Sequence, residues 1–575
     1  MKDVLLRTGA AMVGLALTLT GCAAIPTSSE VVTSSQEPAD SEVAFPIPGG
    51  IPEVDAEPAA IVSSFIEAQA GVVVGNETFT HAHLTPPAQL VWEPFERVVI
   101  FGPGQVNDAW NAQTGELRYT VPVVAYLDAQ GRMTQAAPGE TETVTFTMTR
   151  TADDQWRIAA LPGGVIMSEA NFAALYTQAS LVFESVAGDV RVPELRWLPR
   201  RNTAEFAAQA VASGPSAWLA GAVMSGVSEE IPIQVADVQQ EEGSVTVVLT
   251  GLEGMENEAV ERAVWQYSAT LGALEGVSEV TVLSAEGEVL SLPEVLPADS
   301  PIPSSVGLVI DASTWGFWDG ASFENIVSSP HSAAAYALSY DQSNFAFVEG
   351  GDIYTGPLTL TATQPSPGPQ DSFSLVFNGA SGVALVEPSF DRYGWIWSAE
   401  RTAGGDVVAV SPTGQPRIVP IPQVGAGGVV EALRVSRDGS RLAVAIREGA
   451  FTRLIVVGMT RNILGEPISG VGEPTVPLTY RGGTHNMTWV SEHQIALLST
   501  ASVGTAPEVH IVTLGGRVES LLAVTDSVQI AAHDGVGSLT LVTRTGSVHV
   551  RTVSGWSGVS IGDSQTFVEW LTYAG

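Results

Sequence analysis

Three aspartates occupy matching places in a long run of short apolar stretches. Asp341 ends Ala337-Leu338-Ser339-Tyr340-Asp341, Asp391 ends Glu387-Pro388-Ser389-Phe390-Asp391, and Asp438 ends Arg434-Val435-Ser436-Arg437-Asp438. Carboxylates held about 5 to 9.5 Å apart hydrolyse glycosides, so these are the acids to suspect in an enzyme. Their repetition favours another role, because an Asp in such a turn can accept hydrogen bonds from nearby backbone N–H groups. A second polar group to weigh is His81, His83, Glu93 and Asp108. The two histidines stand in a Thr-rich, Pro-bounded stretch compatible with a surface turn, and no local spacing makes the four converge. There is no G-x-S-x-G elbow, P-loop or plausible dinucleotide fingerprint. The expectation is a protein that is not an enzyme, with no catalytic, cofactor-binding or metal-binding residues and no cofactor.

The three aspartates sit in short strands and turns that run over residues 305–575. Weaker copies of the same unit follow at Trp489-Val490-Ser491 and Ala531-Ala532-His533-Asp534. The steps from Ser339 to Ser389, Ser436, Ser491 and Ala532 are 50, 47, 55 and 41 residues. Such periods suit four-stranded propeller blades, each of which buries its faces only by stacking on neighbours. A two-sheet sandwich or an open β-solenoid is the alternative. Five recurrences are visible, and Val306–Ile310 or Phe567–Leu571 would complete or close a ring. Trp315, Trp318, Trp395 and Trp397 are expected in blade cores and seams. Pro467–Gly483 reads as a loop across the rim, whose Tyr480, with Trp489 and Trp556, offers contact surface unless the tryptophans pack between blades.

Two α+β modules precede this region. In the first, residues 57–185, a helix carrying Ile61, Val62, Phe65 and Ile66 on one side leads into alternating strands at 91–101, 117–127, 141–148 and 156–158. That cone-like arrangement has room for a ligand. In the second, residues 186–298, the strand Leu195–Leu198 is followed by a helix with Asn202 and Glu205 as a capping box. A short helical stretch at Trp218–Val223, a strand at Val245–Leu249, a helix over 256–275 and a strand around Val280 and Val282 complete it.

The chain of 575 residues is long enough for several cores, and 45% of it is apolar. Its net charge of -37 opposes binding to nucleic acid through the phosphate backbone, and it discourages adhesion of the folded body to anionic lipid. The single cysteine, Cys22, forms no intramolecular bridge. It ends Leu19-Thr20-Gly21-Cys22, after Lys2, Arg7 and a short apolar run, and this resembles the lipobox of bacterial lipoproteins. The resemblance implies a signal peptide at 1–21, S-diacylglyceryl and N-acyl groups on Cys22, and an acylated flexible tether at 22–56 rich in Ser, Pro, Glu and Ala.

The order of pieces resembles the LpqB family of actinobacterial lipoproteins. The residues that carry this are the lipobox, Gln155-Trp156-Arg157-Ile158-Ala159-Ala160-Leu161-Pro162, and Val192-Pro193-Glu194-Leu195-Arg196-Trp197-Leu198-Pro199. Gly214-Pro215 and Trp218-Leu219 mark a module resembling GerMN, and the region after residue 305 corresponds to the family's propeller-like domain. The resemblance implies a protein on the extracytoplasmic face of the cell membrane that binds the sensor part of a histidine kinase like MtrB. It would thereby modulate two-component signalling in envelope homeostasis and division. A glycan- or wall-binding protein, or a propeller glycoside hydrolase, is the alternative.

Replacing the thiol tests the anchor. Cys22→Ala should leave the precursor uncleaved and empty the membrane-bound pool, and metabolic lipid labelling at wild-type level in that variant would refute it.

Overall fold

A computed structural model describes residues 49–575, apart from 228–232, 312–313, 329–334, 350, 359–372, 425–426, 501–505 and 563–566. Cys22, the leader and most of the expected tether lie outside the described residues. No helix among the described residues is long and apolar enough to cross a membrane.

In the first module the helix Pro58–Val73 starts on a proline, whose missing N–H costs nothing in a first turn. Its buried Ile61, Val62, Phe65 and Ile66 lie on a sheet ordered Trp156–Ala160, Thr141–Arg150, Glu116–Asp128, Arg97–Phe101, Val165–Ser168. The last pair is parallel and the others are antiparallel. The inside of this cone is filled. Phe65 packs on Trp92 at 5.3 Å and edge-on to Phe146 at 6.2 Å. The void beside Gln69 measures only about 10 Å³, room for one water at most.

The second module opens with a hairpin, Tyr176–Ser185 against Arg191–Pro199. A division after residue 185 would fall in the turn of that hairpin, so the module begins near Tyr176. Ser244–Thr250 and Glu279–Ser284 pair in parallel, joined by the crossover helix Asn257–Gly272, and Gln234–Glu241 pairs antiparallel on the other side. The helix Thr203–Ala212 packs beside them. The expected capping box is not made. Asn202 sits at φ +61°, and its side chain reaches Glu205 at 3.3 Å instead of capping the backbone. Trp218–Val223 is likewise not helical: Leu219 and Ala220 both donate to the Ser216 carbonyl, and the chain then turns away.

Residues 307–575 form six four-stranded sheets among the described residues. Five are consecutive in sequence, with inner strands Ala335–Leu338, Ser389–Phe390, Val429–Val435, Thr484–Trp489 and Ser527–Ala531. The sixth is built from both ends: Val568–Thr572 is its inner strand and pairs antiparallel with Gly307–Asp311. Both candidate closing segments are therefore used, in the same blade. Successive inner strands neighbour one another around the ring, and Val568–Thr572 neighbours Ala335–Leu338. Trp315, Trp318, Trp395 and Trp397 are buried in and between blades, as their spacing predicts.

Pro467–Gly483 is not a loop. Pro467–Arg481 is the outer strand of the third consecutive blade, paired with Phe451–Arg461 through several register shifts. Its prolines and glycines had the look of a loop, but an edge strand needs N–H groups on one side only and tolerates them.

Inner strands of neighbouring blades lie too far apart to share a backbone ladder, and amide side chains bridge two of the gaps. Asn486 donates to the Ile530 carbonyl at 3.0 Å and accepts from its N–H at 2.9 Å. Gln529 does the same to Leu571, at 2.7 and 3.1 Å. Both amides are buried. Asn486→Leu keeps the volume but strands two backbone groups, which should cost about 2 to 4 kcal/mol. Asn344→Ala, on the surface, should stay within about 0.5 kcal/mol. Denaturant midpoints compare the two, and equal losses would show that the amide brace contributes nothing.

Candidate functional site

In three blades the turn after the inner strand is where the repeated Asp acts, in two of them together with the repeated Ser. Ser436 Oγ donates to Asp438 at 2.8 Å and accepts from Arg441 N at 3.0 Å, while Ser440 N donates to Asp438 at 2.7 Å. Ser339 and Asp341 repeat the pattern, with Ser343 N donating to Asp341 at 3.1 Å. Asp391 accepts from Tyr393 N and Trp395 N, both at 2.9 Å, and from Trp397 Nε1 at 2.9 Å. These are the backbone bonds that the repetition predicts.

In two blades the same carboxylate also receives an arginine. Arg461 donates to Asp391 at 2.7 Å, and Arg441 pairs with Asp438. Asp391 and Asp438 are 1% and 0% exposed, and Asp391 borders, with the exposed Asp341, an open cavity of about 530 Å³ between two blades. Burial pushes the Asp438 pKa up, but Arg441 and the Ser440 and Ser436 donors outweigh it and hold the carboxyl below its usual range. Asp341, by contrast, is exposed.

These turns share one face of the propeller, and the other two modules cover part of that face. Arg441 donates to the Pro193 carbonyl at 3.2 Å, and Trp197 Nε1 donates to the Gly515 carbonyl at 2.9 Å. His493 Nε2 is hydrogen-bonded to Ser180 Oγ at 2.8 Å, and Arg392 pairs with Asp189. From the first module Gln135 donates to the Gly516 carbonyl at 2.7 Å, and Glu169 pairs with Arg517 at 2.6 Å. The outer strand Pro467–Arg481 also meets the second module, since a Cβ on Gly472 would lie 2.4 Å from the Ala217 carbonyl. Burial lowers the His493 pKa to about 4, which keeps this contact uncharged at neutral pH.

At the centre of the seam is a further, buried ion pair, Glu194 with Arg196 at 2.7 Å, 4% and 1% exposed. Glu194 also accepts from Ser216 N at 3.1 Å. Burial works against its ionisation, yet Arg196 and Ser216 keep its pKa lowered. Sequence reasoning passed over Glu194, Arg196, Arg441 and His493 as functional residues. A signal was present: Glu194 and Arg196 are two apart within the apolar strand Arg191–Pro199, so both face one side, where a charge needs a partner.

The other suspected residues do not assemble. His83 is buried rather than in a surface turn: it lies in the short helix Thr78–His83, its Nδ1 is 2.7 Å from the Phe79 carbonyl and its Nε2 2.8 Å from Ser64 Oγ. Burial lowers its pKa. His81 pairs with Glu77 at 3.2 Å on the surface. Glu93 and Asp108 are exposed, on different segments. Among the described residues no three His, Cys, Asp or Glu side chains are placed to hold a metal. Trp489 is packed between blades, its Nε1 donating to the Arg434 carbonyl at 3.4 Å, and Tyr480 donates its hydroxyl inward to the Gly483 carbonyl at 3.2 Å. Trp556 remains half-buried on the outer edge, where it donates to the Leu522 carbonyl at 2.9 Å.

Fold and seam together define a six-bladed propeller locked by one face onto two α+β modules. A family model described as "Lipoprotein LpqB, N-terminal domain" matches residues 51–173, and one described as "Lipoprotein LpqB beta-propeller domain" matches residues 321–566. The chain belongs to the LpqB lipoprotein family. Lipoprotein LpqB of Bifidobacterium longum is 24% identical over 515 residues, covering 87% of this chain and 86% of the relative. That of Thermobifida fusca is 26% identical over 587 residues, covering 88% and 90%. That of Streptomyces coelicolor is 25% identical over 617 residues and covers 98% and 97%.

The turn aspartates should differ in cost. Asp391→Ala and Asp438→Ala each leave a buried arginine unpaired, a loss of about 3 to 5 kcal/mol. Asp341→Ala should lose about 1 kcal/mol or less. Urea unfolding of the three variants tests the order, and equal losses would contradict it.

Proposed function

We propose that this protein is a lipid-anchored accessory protein on the extracytoplasmic face of the cell membrane. It binds the sensor part of an MtrB-like histidine kinase and so modulates two-component signalling in envelope homeostasis and division. Acylated Cys22 supplies the attachment to the bilayer. Membership of the LpqB family supports the reading. The observation that carries it is the state of the suspected catalytic acids: Asp391 and Asp438 are buried and fully engaged in holding turns. What the propeller then offers is a fixed surface.

One face is occupied in part by the protein's own modules, which leaves the opposite rim for a partner. Phe451, Leu522 and Phe567 lie at strand ends on that rim and are 51%, 70% and 47% exposed. Arg401 and Arg447 lie at strand ends on the same rim, and aromatic and arginine side chains are the common anchors of protein interfaces.

Direct titration of the intact chain against the purified kinase sensor domain tests this. Binding is expected, and Phe451→Ala combined with Leu522→Ala should weaken it about tenfold or more. Absence of binding, or unchanged affinity in the double variant, would overturn the kinase role or the rim assignment respectively. Deleting residues 305–575 is a poorer test, because it would uncover Trp197 and the Glu194–Arg196 pair.

A further inference from the structure

A cavity of about 310 Å³ lies where the three modules meet. Its size is at the lower end of small-molecule sites. Its wall is polar and carries three guanidinium groups. Arg196 of the second module and Arg441 of the propeller both line it, each only 1% exposed. Both are held rigidly: Arg196 by Glu194 and the Leu195 carbonyl, Arg441 by Asp438 and the Pro193 carbonyl. Each nevertheless leaves its Nε without a hydrogen-bond partner. A buried donor left unpaired in a native structure calls for an explanation, and an absent ligand or water is one.

A third guanidinium, Arg132 of the first module, lines the same cavity at 29% exposure. Its Nε donates to Ser216 Oγ at 2.8 Å, which fixes its orientation. Its Nη1 leans on Gln130 and the half-exposed Asp128, at 3.3 and 3.4 Å. Among the described residues its Nη2 has no hydrogen-bond partner. Arg196 and Arg441 are each neutralised by their own buried carboxylate, whereas Arg132 shares its charge only with the half-exposed Asp128 at 3.4 Å and is the guanidinium least committed to a partner. Glu473, exposed on the same rim, opposes a multiply charged anion. Trp218 supplies an aromatic, half-buried part of the wall.

We propose that this junction is a binding site for a small polar molecule bearing one carboxylate. Arg132 receives the carboxylate at the mouth through its Nη2, a charge-assisted hydrogen bond, and the polar body lies inward against Trp218 and the fixed guanidinium walls. The ligand touches all three modules at once, so its occupancy stiffens the seam. A sugar acid and the C terminus of a short peptide share this chemistry. The site is independent of the kinase reading and stands if that reading fails.

Titration calorimetry of the intact chain with glucuronic acid and with the tripeptide Ala-Gly-Ala tests it, with glucose and amidated Ala-Gly-Ala as carboxylate-free controls. Binding of at least one acid is expected, with its neutral control at least about tenfold weaker, as loss of a charge-assisted contact implies. Arg132→Ala should weaken binding by a similar factor while circular dichroism and a cooperative melt show the fold retained, and Arg132→Lys should recover part of it. Binding of glucuronic acid alone or of the peptide alone assigns the source, and binding of both shows that the carboxylate dominates. No heat from either acid at about 10 mM, a concentration above any specific Kd of interest, would overturn the proposal. So would equal binding by wild type and Arg132→Ala.

Discussion

The antiparallel pairing of Gly307–Asp311 with Val568–Thr572 is the constraint on which the propeller depends. A blade has two apolar faces and water on neither only when it has a neighbour on each side. On one side Leu308, Ile310 and Trp315 of the closing blade pack with Tyr336, Phe345 and Phe347 of the next. On the other, Val309 and Trp318 pack with Val542 and Val548 of the one before. Trp570, from the C-terminal strand, completes the first contact by donating to the Tyr336 carbonyl at 3.0 Å. Until strands more than 250 residues apart have met, two blade faces stay exposed. Closure is therefore a long-range event that these two faces wait for.

Closure also fixes the turns. Once the inner strands are braced by Asn486 and Gln529, the turns that follow them have fixed positions, and Arg437 ties three blades together by donating to the Val490 and His533 carbonyls and to Asp534. A surface of fixed polar turns can be matched by polar groups on another module. That is how the seam is made: its ion pairs are directional and weak in net stability, because desolvation offsets most of their attraction. What such pairs supply is a single permitted docking angle, since a small slip leaves a charge buried and unpaired.

Much of this was legible in the sequence. The spacing of Ser339, Ser389, Ser436 and Ser491 marked the blades, although only Ser339 and Ser436 accept the same bond from the N–H five residues on, while Ser389 accepts from Val435 N of the next blade and Ser491 from His493 N. The helices at Pro58–Val73 and Asn257–Gly272 follow from their apolar periodicity. The misreadings have separate causes. Pro467–Arg481 carries the residues of a loop and the geometry of an edge strand, a choice made by the neighbouring strand and not by local preference. Asn202 has the right type for a cap, but its left-handed backbone turns the side chain elsewhere. His83 looked exposed because its burial comes from Ser64 and Phe65, far away in sequence. The seam was hidden for the same reason: Arg441 and Pro193 are 248 residues apart, and nothing local announces that they touch.

The strand Arg191–Pro199 shows how three modules come to behave as one body. It is buried along almost its whole length, on both faces, although it belongs to a sheet of only three strands. Such a strand must be covered from outside its own sheet. Trp197 N donates to the Gly131 carbonyl of the first module, while its indole donates to the Gly515 carbonyl of the propeller. Pro193 has no N–H to satisfy, and its carbonyl is free to receive Arg441. Gly131 is at φ +76°, and a Cβ there would lie 2.7 Å from the Trp197 carbonyl, so the close approach requires glycine. One nine-residue strand thus carries hydrogen bonds to every module. The relation between the first module, which follows the expected tether, and the propeller's outer rim is set by this strand and not by a linker. A contact made at the rim is then made by the whole body.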